Sequence, residues 1–437
     1  MRFTEPMSGL NPDAIDEGVS GVSYPPNLAD AKEESLKIIE YILFFTKKIR
    51  FYLHMCNFCC NFVPDLKCSS VAIHKKIVVL VLCAWSMCSF GQVSNAGRSV
   101  FSFMSLPASA RINAMGGSNV SLSNGDVALG MCNPALLHAQ SHQVMQLNYS
   151  YYLPGTMFAS VLYGHNFGRS KIEKPYTGEG EPDKPNYFAV GIHYLDYGKM
   201  KYADEQGNLT GGSFGARDIL IDVMYARQLG RMFKVGVTLK PVYSIYEHYT
   251  SFALGADVGA HFQSKDSTFQ MGLVLQNIGW QLKGFYSGEG GKNHEMLPLN
   301  LQLGITYHIP KAPLRLHVQI HNMQTWKLDY EWTSRDKSAT TGDYISHKVK
   351  WYDMMFRHTI FTIEVVPKSE KFYIALSYNH RRRAEMNLID QRSIAGLSLG
   401  AGVRIKQFRV DFAISQMTKS NFSYQAGLTI DINSLLK

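Results

Sequence analysis

Residues 299–309 read LNLQLGITYHI, and apolar and polar side chains alternate through them without a break. The odd positions carry leucine, isoleucine or tyrosine, whereas the even positions carry asparagine, glutamine, glycine, threonine and histidine. Alternation with a period of two is the pattern of a β-strand with one apolar face. Globular strands are usually about five or six residues long, so a run of roughly ten fits a tilted strand that crosses a membrane.

The same alternation recurs along the chain after residue 143. It predicts strands at 144–152, 157–167, 187–195, 217–228, 233–246, 251–262, 269–278, 299–309, 314–323, 358–367, 371–379, 396–406, 407–416 and 421–432. A soluble β-sandwich is the competing interpretation, with the apolar faces as its core. Length and an even strand count favour an all-β fold, a 14-stranded antiparallel transmembrane β-barrel in the outer membrane of a Gram-negative bacterium.

Connection lengths predict the orientation of this barrel. Most turns at one end are short, whereas four connections at the other end are long, at 196–216, 279–298, 324–357 and 380–395. Outer-membrane barrels have short periplasmic turns and longer extracellular loops, so these four are the predicted outer loops. The segment 168–186 departs from the rule as a long connection at the periplasmic end.

Composition agrees with a membrane barrel and argues against a nucleic-acid partner. Charged residues make up 18% of the 437 residues and aromatic residues 12%, whereas soluble proteins carry about 25% charged residues. The net charge is +9, but lysine and arginine are spread thinly along the chain instead of forming the basic stripe that nucleic acids need.

The region before residue 92 has the pattern of a processing signal. Residues 71–91 combine a basic start at Lys75 and Lys76, an apolar run and a small-x-small end, which is typical of a signal peptide. A membrane anchor is the alternative, but about 14 apolar residues fall short of the roughly 20 that span a bilayer. We expect residues 1–70 to be a spurious or untranslated extension. The remaining chain then divides into an N-terminal segment, 92–143, and the barrel, 144–437.

The N-terminal segment is predicted to fold into the barrel lumen as a plug. Residues 125–137 read GDVALGMCNPALL, a short helix of small apolar residues followed by an Asn-Pro turn. Asp126, Asn133 and Pro134 are the candidate plug residues, because buried polar groups in a lumen need hydrogen-bond partners. Cys132 is interpreted as a small buried filler. A loosely attached arm is the alternative to a plug.

The sequence gives no support for catalysis, and we predict no catalytic, cofactor-binding or metal-binding residues. The CNFC pair, Cys56 and Cys59, has no second pair at zinc-site spacing. His317 and His321 would lie about 13 Å apart on a strand, too far to share a metal, and are interpreted as lumen-facing.

Residues 101–137 and 147–167 carry a resemblance to a known family. These stretches, FSFMSLPASARINAMGGSNVSLSNGDVALGMCNPALL and LNYSYYLPGTMFASVLYGHNF, resemble the PorV/PorQ group of type IX secretion outer-membrane proteins. The resemblance to PorQ-like members continues through 193–211, 274–285, 297–316 and 326–330, and so covers nearly all of the chain after the signal peptide. These proteins are relatives of the FadL barrels. The ending NSLLK departs from the aromatic C-terminus of many such barrels.

The resemblance implies a function in protein secretion. It implies a non-enzymatic FadL-like barrel of the type IX attachment complex that anchors a PorZ-like surface protein, so that cargo is secreted and attached to the cell surface. A FadL-like transporter of small hydrophobic molecules is the alternative, and a general porin is a third possibility. The alternation alone does not distinguish an open lumen from a plugged one.

Aromatic residues of the predicted outer loops are the candidate partner-binding residues. Trp280 falls in the loop 279–298, and Trp326, Tyr330, Trp332 and Trp351 fall in the loop 324–357. An aromatic girdle at the membrane interface is one interpretation. Docking of an extracellular partner is the other, because Trp and Tyr dominate binding hot spots, and Tyr330 and Trp332 are the predicted anchors.

Three consecutive arginines open the last long outer loop. Arg381, Arg382 and Arg383 are candidates for binding lipopolysaccharide, because guanidinium groups pair bidentately with phosphates. A solvated loop that keeps the surface soluble is the alternative.

Overall fold

The computed structural model of the protein describes residues 99–167, 186–204, 206–285, 295–328, 349–367, 369–386, 395–416 and 422–435, and the backbone of 333–337 and 344–346. The predicted signal peptide and the extension before it lie outside the described residues, as do Tyr330 and Trp332. In the part of the chain that is described, no helix is both long and apolar enough to cross a membrane.

Fourteen antiparallel strands form a closed barrel. They are β1 Val144–Leu153, β2 Thr156–Phe167, β3 Asn186–Ala203, β4 Leu209–Gln228, β5 Phe233–Tyr246, β6 Tyr249–Gln263, β7 Phe269–Lys283, β8 Asn300–His308, β9 Leu314–Ile320, β10 Thr359–Val365, β11 Phe372–Asn379, β12 Leu397–Ile405, β13 Phe408–Gln416 and β14 Phe422–Asp431. Each strand pairs with its neighbours in sequence, and β14 pairs with β1 to close the wall, from Val144 opposite Asp431 to Tyr151 opposite Tyr424. All fourteen strands predicted from the alternation are confirmed.

The two faces of the wall differ in chemistry, as the alternation predicts. On β5, Val235, Val237 and Leu239 are exposed on the outer surface, whereas Lys234 and Lys240 are buried on the inside. Apolar side chains continue around the outer surface on the other strands. Because closure satisfies the backbone groups of every strand, this wall suits a bilayer, and the protein is a multi-pass outer-membrane β-barrel.

The lengths of the connections at the two ends of the barrel agree with the prediction, with two corrections. Both chain ends of the barrel, at β1 and β14, lie at one end, and we name the opposite end the outer end. The predicted loop 196–216 is wrong, because β3 runs to Ala203 and β4 begins at Leu209, so the two strands form a long hairpin. Strand β7 likewise runs to Lys283 and includes five residues of the predicted loop 279–298.

A β-bulge in β7 changes which side chains face inward. Gln276 and Asn277 together oppose Asp257 of β6, and Asn277 adopts a φ of 58°. An extra residue in one strand reverses the alternation beyond it. Val274 is therefore buried on the inside, whereas beyond the bulge Trp280 is on the outside.

The N-terminal segment, residues 99–143 in the described chain, lies against the inner face of the wall. It contains the 3-10 turns Ser102–Ser105, Pro134–Leu136 and Ala139–Ser141 and the helices α1, Ala110–Ala114, and α2, Leu129–Cys132. Ser109 begins α1 as an N-cap, since its hydroxyl accepts a hydrogen bond from the Ile112 N–H at 3.2 Å. Apolar residues of the segment form a core with inward-facing wall residues: Ile112, Met115, Leu122, Leu129 and Leu137 with Leu162, Met224 and Val274.

Three further helices and one small hairpin of the described chain are not part of the barrel wall. Helix α3, Trp351–Arg357, precedes β10, and helix α4, His380–Met386, follows β11. Helix α5, Ile432–Leu435, follows β14. The short strands Thr333–Lys337 and Tyr344–Ser346 pair with each other within the connection between β9 and β10.

Candidate functional site

Buried ion pairs fasten the N-terminal segment to the barrel wall. The Arg111 guanidinium donates to Glu364 on β10 at 2.6 Å, and Glu364 has 0% exposure. Asp126 accepts from Arg409 on β13 at 2.6 Å, and Arg409 also contacts Asp411 at 2.9 Å. Burial lowers the pKa of Arg111, but Glu364, Tyr373 and Asp126 together outweigh burial and raise this pKa above its usual value. Both cations of the segment–wall contact are therefore paired.

Asn133 and Pro134 lie against a row of glycines on the wall. The Asn133 amide donates to the Val120 carbonyl at 2.9 Å and the Ala260 carbonyl at 3.2 Å, and its oxygen accepts from the Ala135 N–H at 3.0 Å. Side chains at three wall glycines would collide with the segment: Gly236 with Pro134, Gly259 with Asn133 and Gly272 with the Val120 carbonyl. The absence of a Cβ at these positions lets the two backbones approach closely.

We expect Asn133→Ala and Asp126→Ala to loosen the N-terminal segment while the barrel still forms. Each substitution leaves buried polar partners unsatisfied, at about 1–3 kcal/mol. Arg409 keeps Asp411 in the Asp126 variant, so that variant is expected to be the milder. The measurements are protease resistance of the segment and single-channel conductance. Unchanged values in both variants would contradict a segment held by these residues.

Above the segment, the outer half of the lumen contains a cavity of about 1500 Å³, which we name the vestibule. Its floor includes Met131 and Cys132 of the segment. Apolar residues of the segment and wall line one flank: Phe103, Leu106, Phe158, Leu220 and Leu297. Polar residues line the remainder: His193, Asp222, Lys240, Gln302, His321, Asn379 and Arg382. The vestibule therefore suits a ligand that has both an apolar and a polar part.

His321 is a buried titratable group beside the vestibule, directly after β9. Its side chain is buried, and burial together with the cations Arg381 and Arg382 lowers its pKa to about 3. In the unfolded chain a histidine has a pKa of about 6.5. As the pH falls below 6.5, the unfolded chain therefore binds the proton first, and the folded protein loses stability.

Acidification is therefore expected to destabilise the barrel through His321. The His321 contribution is complete above pH 6.5 and falls by about 1.4 kcal/mol per pH unit down to a pH of about 3. We expect His321→Gln to show a flatter decline in melting temperature between pH 6.5 and 4 than the unmodified protein, measured side by side in one detergent. Parallel curves would contradict the assignment.

Two of the tryptophans predicted to bind a partner occupy positions that also suit a membrane girdle. Trp280 is 60% exposed on the outer surface of β7, not in a loop, because β7 is longer than predicted. Trp351 begins α3 and is 71% exposed, and Phe356 of the same helix contacts the outward-facing Phe361 of β10 at a ring distance of 6.4 Å.

Trp326 has a different setting. It lies after β9, is 49% exposed, and stacks on the His358 ring at 5.5 Å. His358 also contacts the Trp326 carbonyl at 3.1 Å. The Trp326 ring is therefore held at the outer end. The role of Trp326 in binding a partner stays a prediction. The predicted anchors Tyr330 and Trp332 lie outside the described residues.

The three consecutive arginines do not share one surface. They lie on α4, where Arg381 pairs with Glu385 at 2.6 Å. Arg382 lines the vestibule, burial lowers the pKa of its guanidinium, and its Nη1 has no hydrogen-bond partner in the described structure. Of the three arginines, only Arg383 is exposed, whereas Arg381 and Arg382 are half-buried. Binding of lipopolysaccharide by the three together stays a prediction, but Arg382 is not placed to share it.

The other lumen residues that the sequence analysis discussed, a histidine and a cysteine, make polar contacts or are buried. His317, predicted to face the lumen, contacts Thr306 at 2.8 Å and Asn119 of the N-terminal segment at 3.3 Å. Cys132 is buried, and burial raises the pKa of its thiol. Across the described ranges, no group of three or more histidine, cysteine or acidic residues is arranged to hold a metal ion.

The sequence analysis did not single out the buried charges of the wall. His193, Asp222, Lys240 and Asp257 lie on the inner faces of β3 to β6. The available signal was a charged residue among apolar ones, as at Asp222 in residues 219–226, ILIDVMYA. Such a position shows that a charge faces inward, but strand register is needed to identify its partner.

No family model and no curated protein matches the sequence. Several solved structures are similar in fold. The Pseudomonas putida toluene transporter TodX is 14% identical, with 74% of this chain and 97% of that chain covered, at a TM-score of 0.42. The Ralstonia pickettii toluene transporter TbuX is 12% identical over 74% and 97%, at 0.41, and a Pseudomonas aeruginosa FadL homologue is 12% identical over 74% and 98%, at 0.38.

These three structures are outer-membrane barrels of the FadL type, and none is described as a secretion component. At TM-scores near 0.4, the likeness carries no argument about what this barrel binds or transports.

Proposed function

We propose that this protein is a non-enzymatic outer-membrane component of the type IX secretion system that anchors a PorZ-like surface protein. The sequence resemblance to the PorV/PorQ group supports the proposal. The structural observation that carries it is the fastening of the N-terminal segment by Arg111–Glu364 and Asp126–Arg409.

The energy of this fastening bears on whether molecules pass along the lumen. Breaking a buried ion pair by removing one partner costs about 3–5 kcal/mol, and the segment also packs an apolar core against the wall. A molecule moving along the lumen would have to displace the segment against these contacts. Anchoring a surface protein needs no movement of the N-terminal segment, and a rigid wall favours anchoring.

The proposed partner surface lies at the outer end. It comprises Trp326 and the connection between β9 and β10, with Tyr330, Trp332 and Trp351, and Trp280 contributes from the edge of the wall. Exposed Arg383 is proposed to face the phosphates of lipopolysaccharide beside this surface.

A FadL-like transporter of small hydrophobic molecules is the second candidate, and the vestibule favours it. The cavity of about 1500 Å³ has an apolar flank formed by Phe103, Phe158 and Leu220, and ligand sites are concave and mostly apolar. Transport by this route requires the N-terminal segment to move, whereas anchoring does not.

A disulfide between the segment and the wall separates the two candidates. The Ser121 and Thr306 hydroxyls lie 2.8 Å apart, so Ser121→Cys with Thr306→Cys, in a Cys132→Ala background, is close enough to bridge. Two measurements are compared with the bridge oxidised and reduced: co-purification of surface proteins, and cellular uptake of the apolar dye N-phenylnaphthylamine. The Cys132→Ala chain alone is the control.

Anchoring predicts equal co-purification in both states and no dye uptake in either. Uptake that occurs only in the reduced state would favour the transporter and contradict the first proposal. Absence of any co-purified surface protein from the control chain would also contradict it.

A further inference from the structure

Among the buried polar atoms beside the vestibule that have no hydrogen-bond partner in the described part of the chain, two belong to residues that contact each other. His193 on β3 and Asp222 on β4 contact each other through Nε2 and Oδ2 at 2.8 Å, and both side chains are about 2% exposed. The other polar atom of each, Nδ1 of His193 and Oδ1 of Asp222, has no partner among the described residues. Both residues line the vestibule. Unsatisfied buried polar groups are rare in native proteins and call for an explanation.

Two neighbouring carboxylates on the same wall have a hydrogen-bonding or charged partner for each oxygen. Asp218 lies four residues before Asp222 on the same face of β4. It accepts hydrogen bonds from the hydroxyls of Ser244, Tyr197 and Tyr246. Asp257 accepts from the Asn277 N–H at 2.7 Å and pairs with Lys240 at 2.7 Å, which stabilises the bulge of β7. Asp222 also interacts electrostatically with Lys240, but none of the hydrogen bonds described for the His193–Asp222 pair reaches the N-terminal segment.

The surroundings of the pair are apolar on one side. The Phe158 ring stacks on His193, with ring centres 6.1 Å apart and planes at 24°. Leu220 lies two residues before Asp222 on the same face and also lines the vestibule, and Met131 lies at the floor. A polar group that reaches the pair therefore brings its apolar part against Phe158 and Leu220.

The protonation of the pair defines what it can bind. A hydrogen bond to the Asp222 carboxylate requires a proton on Nε2 of His193, and in the neutral ring Nδ1 is then an acceptor. Oδ1 of the ionised carboxylate is an acceptor as well. With the His193 ring in its neutral form, the two free atoms both accept, and a complementary ligand must donate.

We propose that His193 and Asp222 form a binding site for the hydroxylated head group of an amphipathic molecule, such as a sugar on an alkyl chain. Adjacent hydroxyls donate to Nδ1 and Oδ1, and the apolar part lies against Phe158 and Leu220. The site goes beyond the anchoring function and depends on neither candidate function.

Titration calorimetry with hexyl β-D-glucoside tests this site. The full barrel is placed in lipid nanodiscs, the probe stays below its micelle concentration, and empty nanodiscs provide the background. We expect saturable binding with one site per barrel. Asp222→Asn replaces the free acceptor by a donor and is expected to weaken binding about ten-fold or more. Asp218→Asn, a buried aspartate on the same strand away from the vestibule lining, is expected to change it less than about two-fold.

Other variants and probes keep the test decisive if Asp222→Asn does not fold. Leu220→Phe takes up part of the same cavity without changing a charge, and it is also expected to weaken binding. Heat-modifiability on gels reports folding of each variant. Hexyltrimethylammonium has the same chain and no donor, and it is expected not to compete. Absence of saturable glucoside binding, equal binding by the folded variants, or competition by the ammonium compound would each overturn the proposal.

Discussion

Replacing Glu364 by glutamine is expected to release the N-terminal segment and to lower the free energy of unfolding by about 3–5 kcal/mol. The carboxylate is the closest charged partner of Arg111, at 2.6 Å, and it also lies 3.7 Å from Arg315 and 3.5 Å from His317. Glutamine keeps the shape of the side chain but removes the charge. The buried guanidinium of Arg111 then loses its closest anion and keeps only Asp126, at 3.9 Å.

The measurements are the temperature at which the barrel loses its heat-modifiable gel shift and the rate at which protease cleaves the N-terminal segment. Glu370→Gln is the matched control, because Glu370 pairs with Arg315 at the surface, and exposed pairs contribute only about 0–1 kcal/mol. Removing both partners, as Arg111→Met with Glu364→Met, is expected to cost less than Glu364→Gln alone. If the single variant were as stable as the control, the ion pair would not hold the segment.

Adding a side chain at Gly272 is expected to have the second large effect. A Cβ at this position overlaps the carbonyl oxygen of Val120 in the N-terminal segment, and backbone atoms cannot turn aside as a flexible side chain does. Overpacking of this kind costs about 1–3 kcal/mol. Because Asn133 also donates to the Val120 carbonyl, Gly272→Ala is expected to disturb both contacts at once.

Thermal unfolding and protease cleavage of the segment measure this effect as well. Gly230→Ala is the control, since a Cβ at Gly230 meets no atom within 4 Å, and such substitutions usually change stability by less than about 0.5 kcal/mol. A cleavage rate in Gly272→Ala that equals the Gly230→Ala rate would show that the segment does not depend on close approach to the wall.

The barrel was predictable from the sequence because the bilayer imposes a pattern. Strands such as β8 and β12 have lipid on one face and a polar lumen on the other, and period-two alternation records both environments. The outer part of the β3–β4 hairpin was not predicted because it extends beyond the bilayer and lacks this pattern. Lys199, Met200 and Lys201 are all exposed there, so both faces meet water and the alternation disappears.

The polar contacts of the lumen were predictable only in part. Asp126 and Asn133 stood out because they interrupt a small apolar segment, and the structure gives both of them partners. Glu364 and Arg409 belong to strands far along the chain, and their pairing with the segment depends on register and closure. The vestibule pair of His193 and Asp222 lies on neighbouring strands, where local pattern carries no information about which residues meet.

The extra residue in the bulge at Gln276 and Asn277 shifts the inward–outward alternation of β7 by one position. Before it, odd-numbered residues face lipid, and after it even-numbered ones do. If β7 kept both residues but had no bulge, so that each opposed its own residue of β6, Trp280 and Leu282 would turn into the lumen. Gln281, which is buried and donates a hydrogen bond to the Ser251 hydroxyl at 2.7 Å, would then face the hydrocarbon of the bilayer. The one extra residue in the bulge therefore determines which of the later side chains of β7 face the lipid and which face the lumen.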